Sequence, residues 1–193
     1  MNNMSAIINE HSLLKHPFYL AWNEGRLSRK QLALYSCEYG TFIRQISKGW
    51  QMVGEHQIAA EEMEHFRLWE KFADSTCPQM ISATLKTSIQ LLWTTENNFK
   101  KYPSALGALY AFEAQQPGTA ESKLAGIRKH YGHWNLNEDY FEKHAGDWQE
   151  QALIEEKISQ LNETEKIIAC EACSTGCIAL WDALSGIMGE RMN

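Results

Sequence analysis

The residues richest in possible chemistry lie in Glu61-Glu62-Met63-Glu64-His65, within a proline- and glycine-free run over 56–73. Residues three and four apart share a helix face, so His65 stands beside Glu61 and Glu62. A carboxylate and an imidazole one turn apart present lone pairs to a common point, and that arrangement can hold a transition metal. The same letters also describe a solvated acidic face with a surface histidine, and acidic helix runs are common. Glu113 follows Gly107-Ala108-Leu109-Tyr110-Ala111-Phe112. An acid in such company is costly to bury unless a partner or a metal compensates it. His144 offers a second imidazole, with Asp147 one turn on and Glu150 and Gln151 two turns on. Carboxylates and two histidines converging from antiparallel helices would form a carboxylate-bridged iron or manganese site. The alternative for His144, as for His130 and His133, is a place on the surface.

Two further residues carry reactive groups. Tyr19 sits in the aromatic run Phe18-Tyr19-Leu20-Ala21-Trp22, where a core phenol with a paired hydroxyl is the plain expectation. Lys123, in Glu121-Ser122-Lys123-Leu124-Ala125-Gly126, is expected to be solvated on its own terms. Cys170, Cys173 and Cys177 fall at i, i+3 and i+7 along one helix face. A C-x-x-C in mid-helix lacks the loop that frees thiolates to bind metal, so these read as small buried apolar residues.

The elements that must position these groups are all helical. Residues 4–14 read as a short amphipathic helix ended by His16-Pro17, and Phe18 to Trp22 as another turn. Ser28-Arg29-Lys30-Gln31 is a capping box that opens a helix reaching about Trp50. The helix over 56–73 follows. Cys77-Pro78 is expected to open the next, which carries Ile81, Leu85, Ile89 and Leu92 and ends near Asn97-Asn98. Residues 104–115 form an apolar helix that Pro117-Gly118 should break, with helix resuming over 119–131. Asn137 should cap a helix running unbroken to about Leu161. Asn162-Glu163-Thr164-Glu165 is a second capping box, and the last helix reaches about Met188. No segment alternates with period two, so the fold class is all-α, with the apolar stripes buried in a bundle.

Composition narrows the function classes. The chain of 193 residues is 44% hydrophobic and 22% charged, the balance of one ordinary globular domain over 1–193. A net charge of −6 argues against a nucleic-acid partner. Neither a basic n-region nor an apolar h-region opens the chain, and Lys86 and Glu171 interrupt the longest apolar runs. No membrane partner and a cytoplasmic location are therefore expected, and five cysteines fit a reducing compartment.

Four passages give the chain a family likeness. They are His16-Pro17-Phe18-Tyr19-Leu20-Ala21-Trp22, then Glu61-Glu62 with His65-Phe66-Arg67-Leu68-Trp69, then Ala108-Leu109-Tyr110-Ala111-Phe112-Glu113 through Pro117, Lys123, Gly126 and Tyr131-Gly132, and Tyr140-Phe141-Glu142-Lys143-His144. On these the chain resembles the haem-oxygenase-like superfamily in its TenA/PqqC-like branch, and within it the CADD-like oxidases. The resemblance implies a seven-helix bundle with an internal pocket and a non-haem dimetal centre that activates O₂. It implies Glu62, His65, Glu113 and His144 as ligands, with Glu61, Asp147 and Glu150 as lesser candidates. Tyr19 matches the tyrosine tied to this family's synthesis of 4-aminobenzoate, in which the enzyme's own side chain is consumed. Lys123 matches the lysine linked to amino-group donation. The cysteine nucleophile of the thiamine-salvage TenA enzymes has no convincing counterpart.

The likeness is incomplete. An H-x-x-x-D-x-x-H pattern in the family reads His144, Trp148 and Gln151 here. One strong iron (or manganese) position and a weaker second are expected. The reading is an O₂-dependent non-haem oxidase, acting on a small molecule or its own side chain as a homodimer. Its alternatives are a cofactor-independent PqqC-like oxidase and a non-catalytic ligand-binding protein with a degenerate metal site.

Overall fold

A computed structural model describes residues 2–76 and 81–189, with the side chains of residues 2 and 3 left aside. The described residues are 82% helical, and no strand occurs among them. Short helix α1 (Asn2–Glu10) leads through a 3₁₀ turn at Leu13–Lys15 into α2 (Pro17–Asn23). Pro17 sits at the start of α2, where its missing N–H is harmless. The His16 Nδ1 accepts the Phe18 N–H at 3.0 Å and caps the turn.

The expected box opens α3 (Arg29–Met52). The Ser28 N–H donates to Gln31 Oε1 at 2.9 Å and the Gln31 N–H to Ser28 Oγ at 3.2 Å. Helix α4 (His56–Thr76) then packs antiparallel along α3. Cys77-Pro78 lies outside the described residues. Helix α5 (Lys86–Asn98) starts later than expected, so Ile81 and Leu85 precede it. The reason is a side chain from α3. Buried Glu38 accepts the backbone N–H groups of Thr84 and Leu85, and so satisfies the opening amides of α5.

Helix α6 (Tyr102–Glu113) ends at Glu113, and α7 (Gln116–Gly126) begins at Gln116. The break therefore precedes Pro117, which sits in the first turn of α7 rather than ending a helix. A single π-helical turn at Ile127–Tyr131 extends α7. The helix expected from Asn137 to Leu161 is two helices, α8 (Asp139–His144) and α9 (Gln149–Ser159). Gly146, at φ 73°, turns the chain between them in a conformation that side chains rarely adopt.

The second box also forms. The Asn162 N–H meets Glu165 Oε2 and the Glu165 N–H meets Asn162 Oδ1, both at 3.0 Å, at the start of α10 (Glu163–Gly189). By length and composition α10 could cross a membrane, contrary to the sequence expectation that no such run exists. In the bundle it packs on α6 and α5, burying Ala169, Ala172, Cys173, Cys177, Leu180 and Leu184. It approaches α6 so closely that a Cβ on Gly107 would lie 1.9 Å from the Ala169 carbonyl oxygen. Cys173 is hydrogen-bonded to Cys177 and buried, and both effects push its pKa up, so the pair is a packing element.

Seven helices exceed ten residues: α3, α4, α5, α6, α7, α9 and α10. Their apolar faces enclose one core in which Trp22, Trp50, Trp69, Tyr19 and Tyr35 are fully buried.

Candidate metal centre and aromatic chamber

Glu62 and His65 face inward from α4, and both are buried. His65 Nδ1 donates to Glu62 Oε1 at 3.0 Å. Glu61 is exposed and takes a hydrogen bond from Gln57 at 3.1 Å, so of the two adjacent acids Glu62 points at the core. Glu113 closes α6 in a buried position, where the Trp50 indole N–H donates to its Oε1 at 3.1 Å. Burial holds its pKa well above the usual carboxylate range, and repulsion from Glu62 and then Glu150 adds to that. Those couplings place the acids of α4, α6 and α9 around one interior region.

His144, at the end of α8, is buried rather than on the surface, and its ring stands edge-on to His65 with centroids 4.6 Å apart. Burial, and then the proximity of His65 and Lys123, hold it well below the usual imidazole pKa. It is a neutral donor at physiological pH. Its Nε2 is buried with no hydrogen-bond partner among the described residues.

The break at Gly146 decides what α9 offers. Trp148 is 48% exposed and caps α9, so it does not occupy the inward ligand position the family pattern gave it. Gln151 instead donates through Nε2 to Glu155 at 2.8 Å. Glu150 feels Glu62 and His65, and its pKa is raised by burial first and by Asp147 and Glu62 after that. Asp147 also acts on Glu113.

Two imidazoles and at least two buried carboxylates are the donor chemistry of a first-row metal, and the orphaned His144 nitrogen fits such a role. Among the described residues no three His, Cys, Asp or Glu side chains stand close enough to grip one ion as placed. The Glu62–His65 hydrogen bond ties up atoms that an ion would otherwise engage. The donor set fits in kind, with Glu62 and His65 bonded to each other rather than turned to a common point.

Beside this cluster lies an aromatic chamber. Lys123 is buried, contrary to the expectation of a solvated lysine. Its Nζ lies 5.5 Å from the ring centre of Tyr19, 5.6 Å from Tyr35, 5.9 Å from Trp69 and 5.2 Å from Phe141. Loss of water lowers its pKa to about 7. It donates to the Tyr35 hydroxyl at 3.0 Å. Tyr19 is buried with its hydroxyl facing Thr119 and Tyr35, and burial raises its pKa above the ordinary phenol value. Tyr140 joins the two regions, meeting Trp69 edge-on with centroids 4.9 Å apart and His144 at a tilt at 4.5 Å, and receiving a hydrogen bond from Gln116 at 3.0 Å.

Comparison with solved structures places this arrangement. Over 95% of the chain it superimposes on a TenA homologue from Pseudomonas syringae pv. tomato, 91% of which is covered, with a TM-score of 0.74 at 13% identity. A CADD-like protein of Nostoc punctiforme, described as of unknown function, matches over 97% of both chains with a TM-score of 0.62 at 18% identity. The chain shares the all-helical fold of these two structures. Sequence comparison finds relatives of one name. A protein named 4-aminobenzoate synthase from Nitrosomonas europaea is 27% identical, with 95% of this chain and 89% of that one covered. One of the same name from Chlamydia muridarum is 25% identical over 75% of this chain and 70% of its own. No family model matches the sequence.

Several residues of the region carry no role in the sequence analysis. Tyr35, Trp50 and Gln116 are absent from its candidates, and Tyr140 enters only as part of a passage of family likeness. Tyr35 and Tyr39 stand four apart in α3, a signal for a shared inward face, and their rings stack at 5.2 Å. Trp50 and Gln116 carried no local signal, because their partners lie 63 and 24 residues away.

Proposed function

We propose that this protein is an O₂-dependent oxidase using non-haem iron or manganese, held by Glu62, His65, Glu113 and His144, in the formation of 4-aminobenzoate. Glu150, facing the same region, is the further carboxylate, with Asp147 beside it. In this reading Tyr19 supplies the aromatic ring and Lys123 the amine. The observation that carries it is the pairing of a buried lysine amine with the Tyr19 ring at 5.5 Å, next to a buried carboxylate–imidazole cluster. Similarity to proteins named 4-aminobenzoate synthase supports the choice of product.

The metal, when bound, supplies the binding and reduction of O₂. The chain's own groups do the rest. His144 is held neutral by burial, the form in which imidazole donates to a metal. Burial and acidic neighbours bias Glu113 toward its protonated form, and as a metal ligand it would have to be deprotonated. Lys123 has about half of its amine uncharged near pH 7, and an uncharged amine has the lone pair that carbon–nitrogen bond formation requires. Tyr19, Tyr35, Trp69 and Phe141 pack around it and exclude water.

Elemental analysis of protein loaded anaerobically with Fe(II) or Mn(II) tests the metal half. Bound metal should be lost in His65→Ala and in Glu113→Ala, and kept in Glu61→Ala. Undiminished metal in the first two variants would contradict the assignment. A metal-free oxidase built on the same chamber is the second reading, favoured by the Glu62–His65 hydrogen bond that pairs the two groups with each other. Oxygen-dependent turnover by chelator-treated protein would select it.

A further inference from the structure

The Tyr35 hydroxyl stands between both proposed reactants. It accepts a hydrogen bond from Lys123 Nζ at 3.0 Å, and the Tyr19 hydroxyl lies close enough to couple to it electrostatically. Its ring has little freedom to turn. It packs on Phe18 with centroids 4.6 Å apart, stacks on Tyr39 at 5.2 Å, and meets Trp22 and Trp69 edge-on at 5.8 and 5.6 Å. The residue has no accessible surface. A hydroxyl fixed this rigidly sets the place of whatever hydrogen-bonds to it. Lysine has four rotatable side-chain bonds, so an amine at the end of that stem needs an anchor to stay over one ring.

We infer that Tyr35 is a positioning residue, whose hydroxyl holds the Lys123 amine against the Tyr19 ring. The inference rests on the proposed roles of Tyr19 and Lys123 but adds a third residue that those roles do not require. Two consequences follow from the geometry. An acceptor facing Lys123 supports its ammonium form, so removing the acceptor favours the free amine further and lowers the pH at which the lysine titrates. An unanchored amine also spends less time at the ring, so product yield falls even where the amine is uncharged. The groups facing Lys123 are the hydroxyl of Tyr35, the rings of Tyr19, Trp69 and Phe141, and, as the charged or titratable neighbour, His144.

The test is Tyr35→Phe, with Tyr39→Phe as the control for losing a buried phenolic hydroxyl. Two readouts are taken on the full-length, metal-loaded protein. One is the titration midpoint of Lys123, followed by NMR of the lysine side chain with Lys123→Met to assign the signal. The other is the yield of 4-aminobenzoate per chain after exposure to O₂, as a function of pH. In Tyr35→Phe the lysine midpoint should move to lower pH and the yield should fall at least tenfold, while Tyr39→Phe keeps the wild-type midpoint. A wild-type midpoint and wild-type yield in Tyr35→Phe would overturn the inference. If the wild-type protein itself forms no 4-aminobenzoate, the proposed function fails, and the lysine midpoint alone decides whether Tyr35 holds Lys123. If Tyr35→Phe is too unstable to measure, thermal melting of Tyr35→Phe/Lys123→Met replaces it. A larger gain in stability from Lys123→Met in the Tyr35→Phe background than in the wild-type protein supports the link, since the stranded amine is gone, and an equal gain in the two backgrounds counts against it.

Discussion

Burial among aromatic rings pulls the Lys123 pKa to about 7, far below its ordinary value, and this sets a pH dependence for folding. The unfolded chain binds a proton at this lysine up to about pH 10, whereas the folded chain has released it above about pH 7. Between those values the unfolded state holds more protons, so this group's contribution to stability improves as pH rises. At pH 7 and below the full cost of the buried lysine is present. Lys123→Met should therefore stabilise the protein near neutral pH by on the order of a few kcal/mol, and the gain should shrink toward pH 10. Urea unfolding of both proteins at pH 6, 8 and 10 checks this, and a pH-independent difference would contradict it. The same substitution should abolish product, a residue kept at a cost in stability for its chemistry. Much at this scale was legible in the sequence. Glu113 announced itself as an acid in an apolar stretch, and the three-residue step from Glu62 to His65 follows from helix geometry alone. Lys123 read by itself belonged to solvent, and only the resemblance marked it out. Its burial comes from rings contributed by α2, α3, α4 and α8, which no local pattern reports.

Two glycines show how the elements set the site. Gly146 lies at φ 73° between α8 and α9 and makes the turn that points Glu150 inward and Trp148 outward. Gly146→Ala should destabilise the protein by roughly 1 kcal/mol through backbone strain. It should also weaken metal binding more than its effect on stability accounts for, because the register of α9 would shift. Melting temperature and metal titration on the same variant separate the two effects. Gly107 lies where α6 crosses α10, and an added Cβ would meet the Ala169 carbonyl oxygen at 1.9 Å. Backbone cannot yield as a flexible side chain would, so Gly107→Ala should cost roughly 3 kcal/mol or more. A melting temperature within 2 °C of wild type would contradict that contact. Helix starts were the most legible feature, since both capping boxes form with reciprocal bonds. Interior breaks were less so. The α5 boundary depends on Glu38 from another helix, and Pro117 tolerates a first-turn position as readily as it ends a helix.

For the molecule as a whole, helical periodicity was enough to give an all-α bundle, because amphipathic stripes have few other ways to be buried. The apolar character of α10 follows from its central place between α5 and α6, where length and composition alone would equally describe a membrane span. How the helices gather one acid from α4, one from α6 and an imidazole from α8 lay beyond the sequence, since contacts between distant segments leave no periodic trace. That gathering gives the molecule two adjoining interior regions, a polar one of carboxylates and imidazoles and an aromatic one holding an amine beside a phenol. The claim that joins them is that the protein makes 4-aminobenzoate from its own Tyr19. The most direct test is to produce the protein with ring-¹³C-labelled tyrosine, load it anaerobically with Fe(II) and Mn(II), admit O₂, and analyse both the small molecules and the tryptic peptides by mass spectrometry. The account predicts ring-labelled 4-aminobenzoate at no more than one per chain, with a matching loss of the intact Tyr19 peptide, and neither change in Tyr19→Phe. Labelled product with Tyr19 intact, or an unaltered Tyr19 peptide with no labelled product from fully metal-loaded protein, would contradict it.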